Sequence, residues 1–254
     1  MTIFDSIILG IVEGITEFLP VSSTGHLILT STLLGIPETD FLKTFEIAIQ
    51  LGAICSVIVL YWKSFLDMEI LKRLLIAFLP TGVIGFGLYT LVKGFLGSEQ
   101  IVLWALLLGG VALIVFELLH KERPDATPDV KSISYRQSFL IGLAQSVAMV
   151  PGVSRSAATI VGGLFLGISR IAIVEFSFLL AVPTMAAATG YDILKNASTF
   201  STDNTMSLIV GFVVSFLVAL LAIKWLLSFV RSHSFIPFGV YRIILALLFF
   251  FFVL

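Results

Sequence analysis

Residues Ile7–Leu27 read IILGIVEGITEFLPVSSTGHL. The run is apolar as far as Leu19 apart from Glu13 and Glu17, stops at Pro20, and resumes after Val21-Ser22-Ser23-Thr24-Gly25. A helix needs about 20 mostly apolar residues to cross a bilayer. Each piece is roughly a dozen residues long, so neither crosses alone. Proline ends a helix by removing a donor and clashing with the preceding turn. Two short apolar pieces joined by polar backbone predict a re-entrant hairpin. Its turn is tolerated at depth only where protein or a water-filled cavity covers it.

The pattern returns in the second half of the chain. Phe139–Val150 is apolar, breaks at Pro151-Gly152, and resumes after Ser154-Arg155-Ser156. Gly10 to Ser23 reads G-x-x-E-x-x-x-E-x-x-P-x-S-S, and Gly142 to Arg155 reads G-x-x-Q-x-x-x-M-x-P-G-x-S-R, with the second proline one residue sooner. Six uninterrupted apolar stretches complete the chain: Phe45–Trp62, Leu74–Val92, Ile101–Leu119, Ile171–Tyr191, Ser207–Leu227 and Phe238–Leu254. Three follow each broken region. Three is odd, so the second half enters the membrane from the opposite side. The expected fold is an all-α polytopic membrane protein: six full transmembrane helices plus two re-entrant hairpins in an inverted-topology repeat. Such repeats place their site near the midplane, where broken helices meet.

Charge supports the same arrangement. Of the 254 residues 58% are hydrophobic and 12% are charged, about half the charge of a soluble domain. The formal net charge of −1 excludes nucleic-acid binding through a basic surface. Cys55 is the single cysteine and cannot form an intrachain disulfide. No Lys or Arg precedes the first apolar stretch, so the N-terminus reads as retained rather than as a cleaved signal. One set of loops carries Lys63, Lys72, Arg73, Lys121, Arg123, Lys131, Arg136 and Arg231, with Lys224 and Arg242 flanking the last; the other carries only Lys43, Lys93 and Lys195. The first set is expected to be cytoplasmic by the positive-inside rule, leaving both termini outside. Residues 120–137, with Pro124 and Pro128, read as a cytoplasmic linker between repeats 1–119 and 138–254 of one membrane domain.

Glu13 and Glu17 are four apart and share a helix face. On a soluble helix they would be a solvated start; here their neighbours are Ile11, Val12, Ile15 and Phe18. An ionised side chain at the bilayer centre costs about 2.5–3.5 kcal/mol even on the lenient insertion scale. A pair therefore implies a cation, a partner or water. Paired carboxylates suit a divalent cation such as magnesium or calcium through oxygen ligands, and one of them could also move a proton. Ser22, Ser23 and Thr24 can cap the next half-helix, whose free N–H groups suit phosphate. His26, three residues beyond Ser23, permits a hydroxyl nucleophile with an imidazole base. In the partner loop, Gly152 allows close backbone approach and Arg155 offers a planar, permanently charged fork to phosphate oxygens. Ser154, Ser156 and Thr159 flank it. The plainer reading of Arg155 is a salt bridge to Glu13 or Glu17. Glu46, Gln50 and Glu175 are weaker candidates; Glu117, His120 and His233 read as solvated helix ends. Gly82, Gly85 and Gly87 read as helix-packing positions, and Phe249–Phe252 as lipid-facing or packing surface.

EGITEFLPVSSTGHL (Glu13–Leu27), PGVSRSAAT (Pro151–Thr159) and IAIQLGAI (Ile47–Ile54) together resemble the undecaprenyl-diphosphate phosphatases, also called bacitracin-resistance proteins. The resemblance extends over nearly the whole chain. It implies a multi-pass bacterial plasma-membrane enzyme that hydrolyses undecaprenyl diphosphate to undecaprenyl phosphate for cell-wall synthesis. It also implies divalent-metal dependence, bacitracin resistance when abundant, and a site opening extracytoplasmically. The family's acidic pair falls on Glu13 and Glu17, its candidate nucleophile on Ser23, its histidine on His26, and its arginine motif on Ser154, Arg155 and Thr159. Attack by Ser23 and attack by water both remain open on the sequence, as does a homodimer. The competing class is a secondary transporter or flippase for an anionic lipid or small anion. It accounts for Arg155 and the half-helix ends, but less well for Ser23 and His26 beside an acidic pair.

Overall fold

The computed structural model describes residues 1–87, 98–195 and 204–254. Lys93, the side chain of Lys195 and the far end of the stretch Leu74–Val92 lie outside the described residues. The described residues form helices α1 (Ile3–Thr16), α2 (Ser23–Leu33), α3 (Asp40–Leu60), α4 (Trp62–Phe65), α5 (Met68–Gly87), α6 (Glu99–Leu119), α7 (Tyr135–Ser146), α8 (Arg155–Phe165), α9 (Arg170–Lys195), α10 (Thr205–Val230) and α11 (Ile236–Phe252). Five of them, α3, α5, α6, α9 and α10, are long and apolar enough to cross a membrane. The sixth expected span corresponds to α11, an apolar helix of 17 residues. At 1.5 Å per residue it is about 25 Å long, short of a 30 Å hydrocarbon core.

Capping explains why the helices begin earlier than the apolar runs. Thr2 and Asp5 form a capping box at the start of α1, with Thr2 N–H donating to the Asp5 carboxylate at 2.6 Å. Thr39 caps α3 by accepting from Leu42 N–H at 3.1 Å, so the helix takes in polar Asp40 and Lys43 before its apolar stretch. Ser134 and Gln137 form the capping box of α7. The half-helices α2 and α8 begin at Ser23 and Arg155, sooner than the apolar pattern alone indicates. Ser22 and Ser154 cap them, their hydroxyls accepting from Gly25 and Ala157 N–H.

Packing across the two halves is reciprocal. In the first half α1 lies chiefly against α10, and in the second α7 lies against α5. α3 and α9 pack together, as do α6 and α11. Small residues allow the close approach: a Cβ on Gly14 would sit 2.7 Å from Ser215 O, and one on Gly142 would collide with Ala77 O. Of the expected packing glycines, Gly85 lies against another element, where a Cβ would sit 3.2 Å from Met149 Cε. Gly87 has nothing within 4 Å, and Gly82 meets only Phe78 of its own helix. A core containing Phe18, Phe176, Phe178 and Phe235 fills the centre, whereas Phe250, Phe251 and Phe252 are exposed.

The segment before α7 is pinned to the helix ends around it. Thr127 N–H donates to Gly167 O at 2.9 Å and Ser169 N–H donates to Thr127 O at 3.0 Å, Arg73 Nε donates to Ile133 O at 2.5 Å, and Lys131 meets Asp67 at 2.6 Å. The Lys131 ammonium holds the half-buried Asp67 carboxyl below its ordinary range. The start of α5 is thereby held to the start of α7, where Tyr135 also donates to Glu69 at 3.1 Å. Two charges depart from their expected setting. Glu117 is buried and pairs with Arg170, Oε1 to Nη1 at 2.5 Å, because α6 delivers it against the start of α9 rather than into solvent. Arg242 does not flank a loop: it is fully buried.

Candidate active site

α1 ends at Thr16, and Glu17 is its C-terminal cap residue. The chain then turns through residues 17–21 and re-enters a helix at Ser23. That turn folds Glu17 back onto the start of α2, where Ser23 Oγ donates to Glu17 Oε2 at 2.7 Å. The other carboxylate oxygen, Oε1, accepts from Arg155 Nη2 at 2.8 Å. Arg155 opens α8 in the second broken region, so this pair joins two loops 138 residues apart in the chain. Arg155 also donates to Ser177 O at 3.2 Å, and its guanidinium lies 6.0 Å from the centroid of Phe18. The expected acidic–arginine pairing thus falls on Glu17. Glu13, one turn earlier, is fully buried, and neither of its carboxylate oxygens has a hydrogen-bond partner among the described residues.

The two loops face a cavity of about 180 Å³ lined by Glu17, Ser22, Ser23, Thr24, Gln50, Ala148, Pro151, Gly152, Ser154, Arg155 and Met185. Their backbones match. Ser22 and Ser154 both adopt positive φ, 73° and 75°, unusual for a residue with a Cβ. Each turns the chain sharply into a half-helix. The N–H groups of Ser22, Ser23 and Thr24, and of Ser154, Arg155 and Ser156, make no hydrogen bonds within the described protein. Two helix N-termini with free donors therefore border one cavity, an arrangement suited to an anion. Gly152 has φ +92°, and a Cβ there would lie 2.8 Å from Val102 O, so the loop can pass α6 only with glycine at that place.

Three expected site residues are placed differently. His26 does not hold the Ser23 hydroxyl. Its Nδ1 donates to Ser22 O at 2.7 Å, and its Nε2 lies 2.7 Å from the Tyr241 hydroxyl, over a stacked pair of rings. A carbonyl only accepts, so Nδ1 carries a proton. The Ser23 hydroxyl donates instead to the Glu17 carboxylate. Ser156 and Thr159 do not line the cavity. Ser156 Oγ donates to Phe18 O at 2.7 Å, fastening one loop to the other. Thr159 Oγ1 is bonded to Ser177 Oγ at 2.6 Å and to the Arg155 and Ser156 carbonyls.

Sequence reasoning ranked Gln50 low, yet it lines the cavity. It missed Tyr241 altogether and took Arg242 for a loop charge. Arg242 donates to the carbonyls of Gly152, Val153, Ala105 and Leu106. The signal was present: Arg242 sits five residues inside an apolar run, the same anomaly that singled out Glu13 and Glu17.

The chain matches the model of the bacitracin resistance protein BacA family over residues 6–248. It is 57% identical over 250 residues to an undecaprenyl-diphosphatase of Sulfurihydrogenibium sp. (strain YO3AOP1), covering 98% of this chain and 99% of that one. Undecaprenyl-diphosphatases of Aquifex aeolicus (strain VF5) and Persephonella marina (strain DSM 14350 / EX-H1) are 52% and 54% identical. These alignments cover 98% of both chains for Aquifex and the full length of both for Persephonella. The chain belongs to the bacitracin resistance protein BacA family.

Proposed function

We propose that this member of the family hydrolyses undecaprenyl diphosphate to undecaprenyl phosphate and inorganic phosphate. The observation that carries the reading is the single carboxylate of Glu17, bonded on one side to a hydroxyl and on the other to a phosphate-suited guanidinium. Binding or transport of an anion needs Arg155 and the free N–H groups but gives no use to a hydroxyl held by a base. The transporter reading is therefore the weaker one.

In the proposed reaction the terminal phosphate occupies the cavity between the half-helix N-termini, with Arg155 and the free N–H groups of both loops on its oxygens. Glu17 accepts the Ser23 proton as Ser23 Oγ bonds to the terminal phosphorus. The bond from that phosphorus to the bridging oxygen breaks, and undecaprenyl phosphate leaves. Water then attacks the phosphoserine, giving inorganic phosphate and restoring the hydroxyl. Charge spread over the equatorial oxygens in such transfers is stabilised mainly by positioned donors. Glu13 and Glu17 are the residues that would hold a divalent cation, and the unpartnered buried oxygens of Glu13 fit that need. Bound there, the cation would neutralise phosphoryl charge.

The finer architecture belongs to the same proposal. The chain is read as six crossings and two re-entrant hairpins, α1–α2 and α7–α8, in repeats of opposite topology joined by residues 120–137. The reciprocal packing of α1 on α10 and α7 on α5 supports it, as do the matched positive-φ serines. The membrane is the bacterial plasma membrane, and the cavity opens extracytoplasmically. Gln50 at the cavity and Glu46 one turn earlier continue a polar path along α3, away from the basic loops.

The test is phosphate release from undecaprenyl diphosphate by purified protein in detergent, with Ser23→Ala alongside. The expected result is turnover by the parent protein and a loss of at least about a hundredfold in the variant. Absence of release by the parent protein overturns the activity; wild-type turnover by Ser23→Ala overturns the nucleophile.

A further inference from the structure

Arg242 is the largest fully buried side chain among the described residues. Its guanidinium donates through Nη1 to Val153 O at 2.8 Å, and through Nη2 to Gly152 O at 2.9 Å and Ala105 O at 2.8 Å; Nε reaches Leu106 O at 3.4 Å. Four of five N–H donors are used. Every acceptor is a neutral carbonyl, and Arg242 forms no ion pair among the described residues. A buried cation without a counter-ion is costly, so retaining one inside an apolar helix calls for an explanation beyond packing.

The explanation lies in the peptides it grips. Carbonyl and N–H of a trans peptide point in opposite directions. Drawing the Val153 carbonyl toward α11 turns the Ser154 N–H away from α11. That N–H has no protein partner and belongs to a residue lining the cavity. The positive φ of Ser154 is held in place by the same grip. Tyr241, the neighbouring residue on α11, holds His26 Nε2, while His26 Nδ1 grips the Ser22 carbonyl and turns the Ser23 N–H in the same manner. Adjacent residues of one helix thus set the peptide orientations of both loops.

We infer that Arg242 is a positioning residue of the phosphate pocket, orienting the second loop's amides toward the anion and contributing uncompensated positive charge, with Tyr241 serving the first loop through His26. The inference rests on the phosphate-hydrolase reading for its ligand class. A diphosphate then meets a pocket already arranged for it, and no carboxylate competes for Arg242.

The experiment uses full-length protein in detergent and inorganic pyrophosphate as the probe, read as the rise in thermal unfolding temperature with probe concentration. Turnover of lipid diphosphate is measured in parallel. Arg242→Lys keeps charge but loses the planar fork. Gly109→Ala leaves every site residue intact, yet its new methyl would collide with Arg242 Nη2. Both are expected to raise the half-saturating pyrophosphate concentration about tenfold or more and to lower kcat/KM similarly. Tyr241→Phe should lower kcat/KM by a smaller factor. Val240→Ala, on the exposed face of α11, serves as the control and should match the parent. A merely structural role would lower the unfolding temperature without moving the pyrophosphate concentration dependence. That result in both Arg242→Lys and Gly109→Ala overturns the inference, as does parental behaviour in both. If Gly109→Ala fails to fold, Arg242→Lys together with Tyr241→Phe decides it by the same readouts. If the parent binds pyrophosphate but releases no phosphate from lipid, the hydrolase reading fails while the role of Arg242 is still measured.

Discussion

Replacing Glu17 by Gln changes one heavy atom and removes one charge at the junction of the two loops. The two partners of the carboxylate dictate how the amide must sit. Arg155 Nη2, 2.8 Å from Oε1, can only donate, so the amide oxygen has to face it. The amide NH₂ then faces Ser23 Oγ, which in the parent donates to Oε2 at 2.7 Å. The hydrogen bond to Ser23 is reversed: a lone pair of the nucleophile is occupied and no base remains. Loss of a positioned base costs about 10²–10⁴ in rate, or about 3–5 kcal/mol of barrier at 1.36 kcal/mol per factor of ten. Arg155 keeps the amide oxygen and Ser177 O as acceptors, so the stability loss is expected at about 1–3 kcal/mol, below the full cost of orphaning a buried charge. The assay is phosphate release at saturating divalent cation, with thermal unfolding measured on the same preparation. In combination with Ser23→Ala the two losses should not multiply, because both remove the same proton transfer. Turnover of Glu17→Gln within about threefold of the parent, or multiplicative losses in the double variant, refutes the assignment of Glu17 as base.

Glu13→Gln should raise the divalent-cation concentration for half-maximal activity at least about tenfold, while raising cation-free thermal stability, because a buried carboxylate without partners is unfavourable. A cation titration of activity and a melting curve in chelator check the two halves separately. Gly52→Ala should destabilise by about 1–3 kcal/mol, since its methyl would collide with Phe212 O where α3 meets α10; the shift in unfolding temperature measures it. Glu117→Gln should destabilise the protein by about 1–3 kcal/mol through its buried bond to Arg170 while leaving KM unchanged, because that pair lies away from the cavity; melting and steady-state kinetics together report it.

What the sequence made legible follows from which anomalies an apolar background exposes. Glu13, Glu17 and Arg155 stand out because a charge within an apolar stretch calls for a reason. The broken runs stand out because proline and serine interrupt them. The pairing of Ser23 with Glu17 rather than His26 was not legible. Spacing along a helix places Ser23 and His26 on one side, but residues 17–21 are a turn whose path decides which side chain comes back to Ser23. Tyr241 and Arg242 lie more than 80 residues from the loops they hold, and the packing of α11 on α6 and α2 brings them there. Helix starts were misplaced for a local reason. Thr39 and Asp40, like Thr2 and Asp5, are polar residues that cap and begin helices, so a hydropathy window starts too late. Glu117 misled because position near a helix end usually means solvent, and here the start of α9 occupies that space.

The buried guanidinium of α11 also bears on how the chain is assembled. Arginine at the middle of an inserting helix costs about 2.5–3.5 kcal/mol, and α11 has only 17 residues with which to offset it. Its acceptors, the carbonyls of residues 105–106 and 152–153, belong to segments that leave the ribosome well before residue 242. The docking site of α11 has therefore already been synthesised when α11 itself emerges. A chain cut short before α11 would leave the carbonyls of Ala105, Leu106, Gly152 and Val153 without the guanidinium that binds all four.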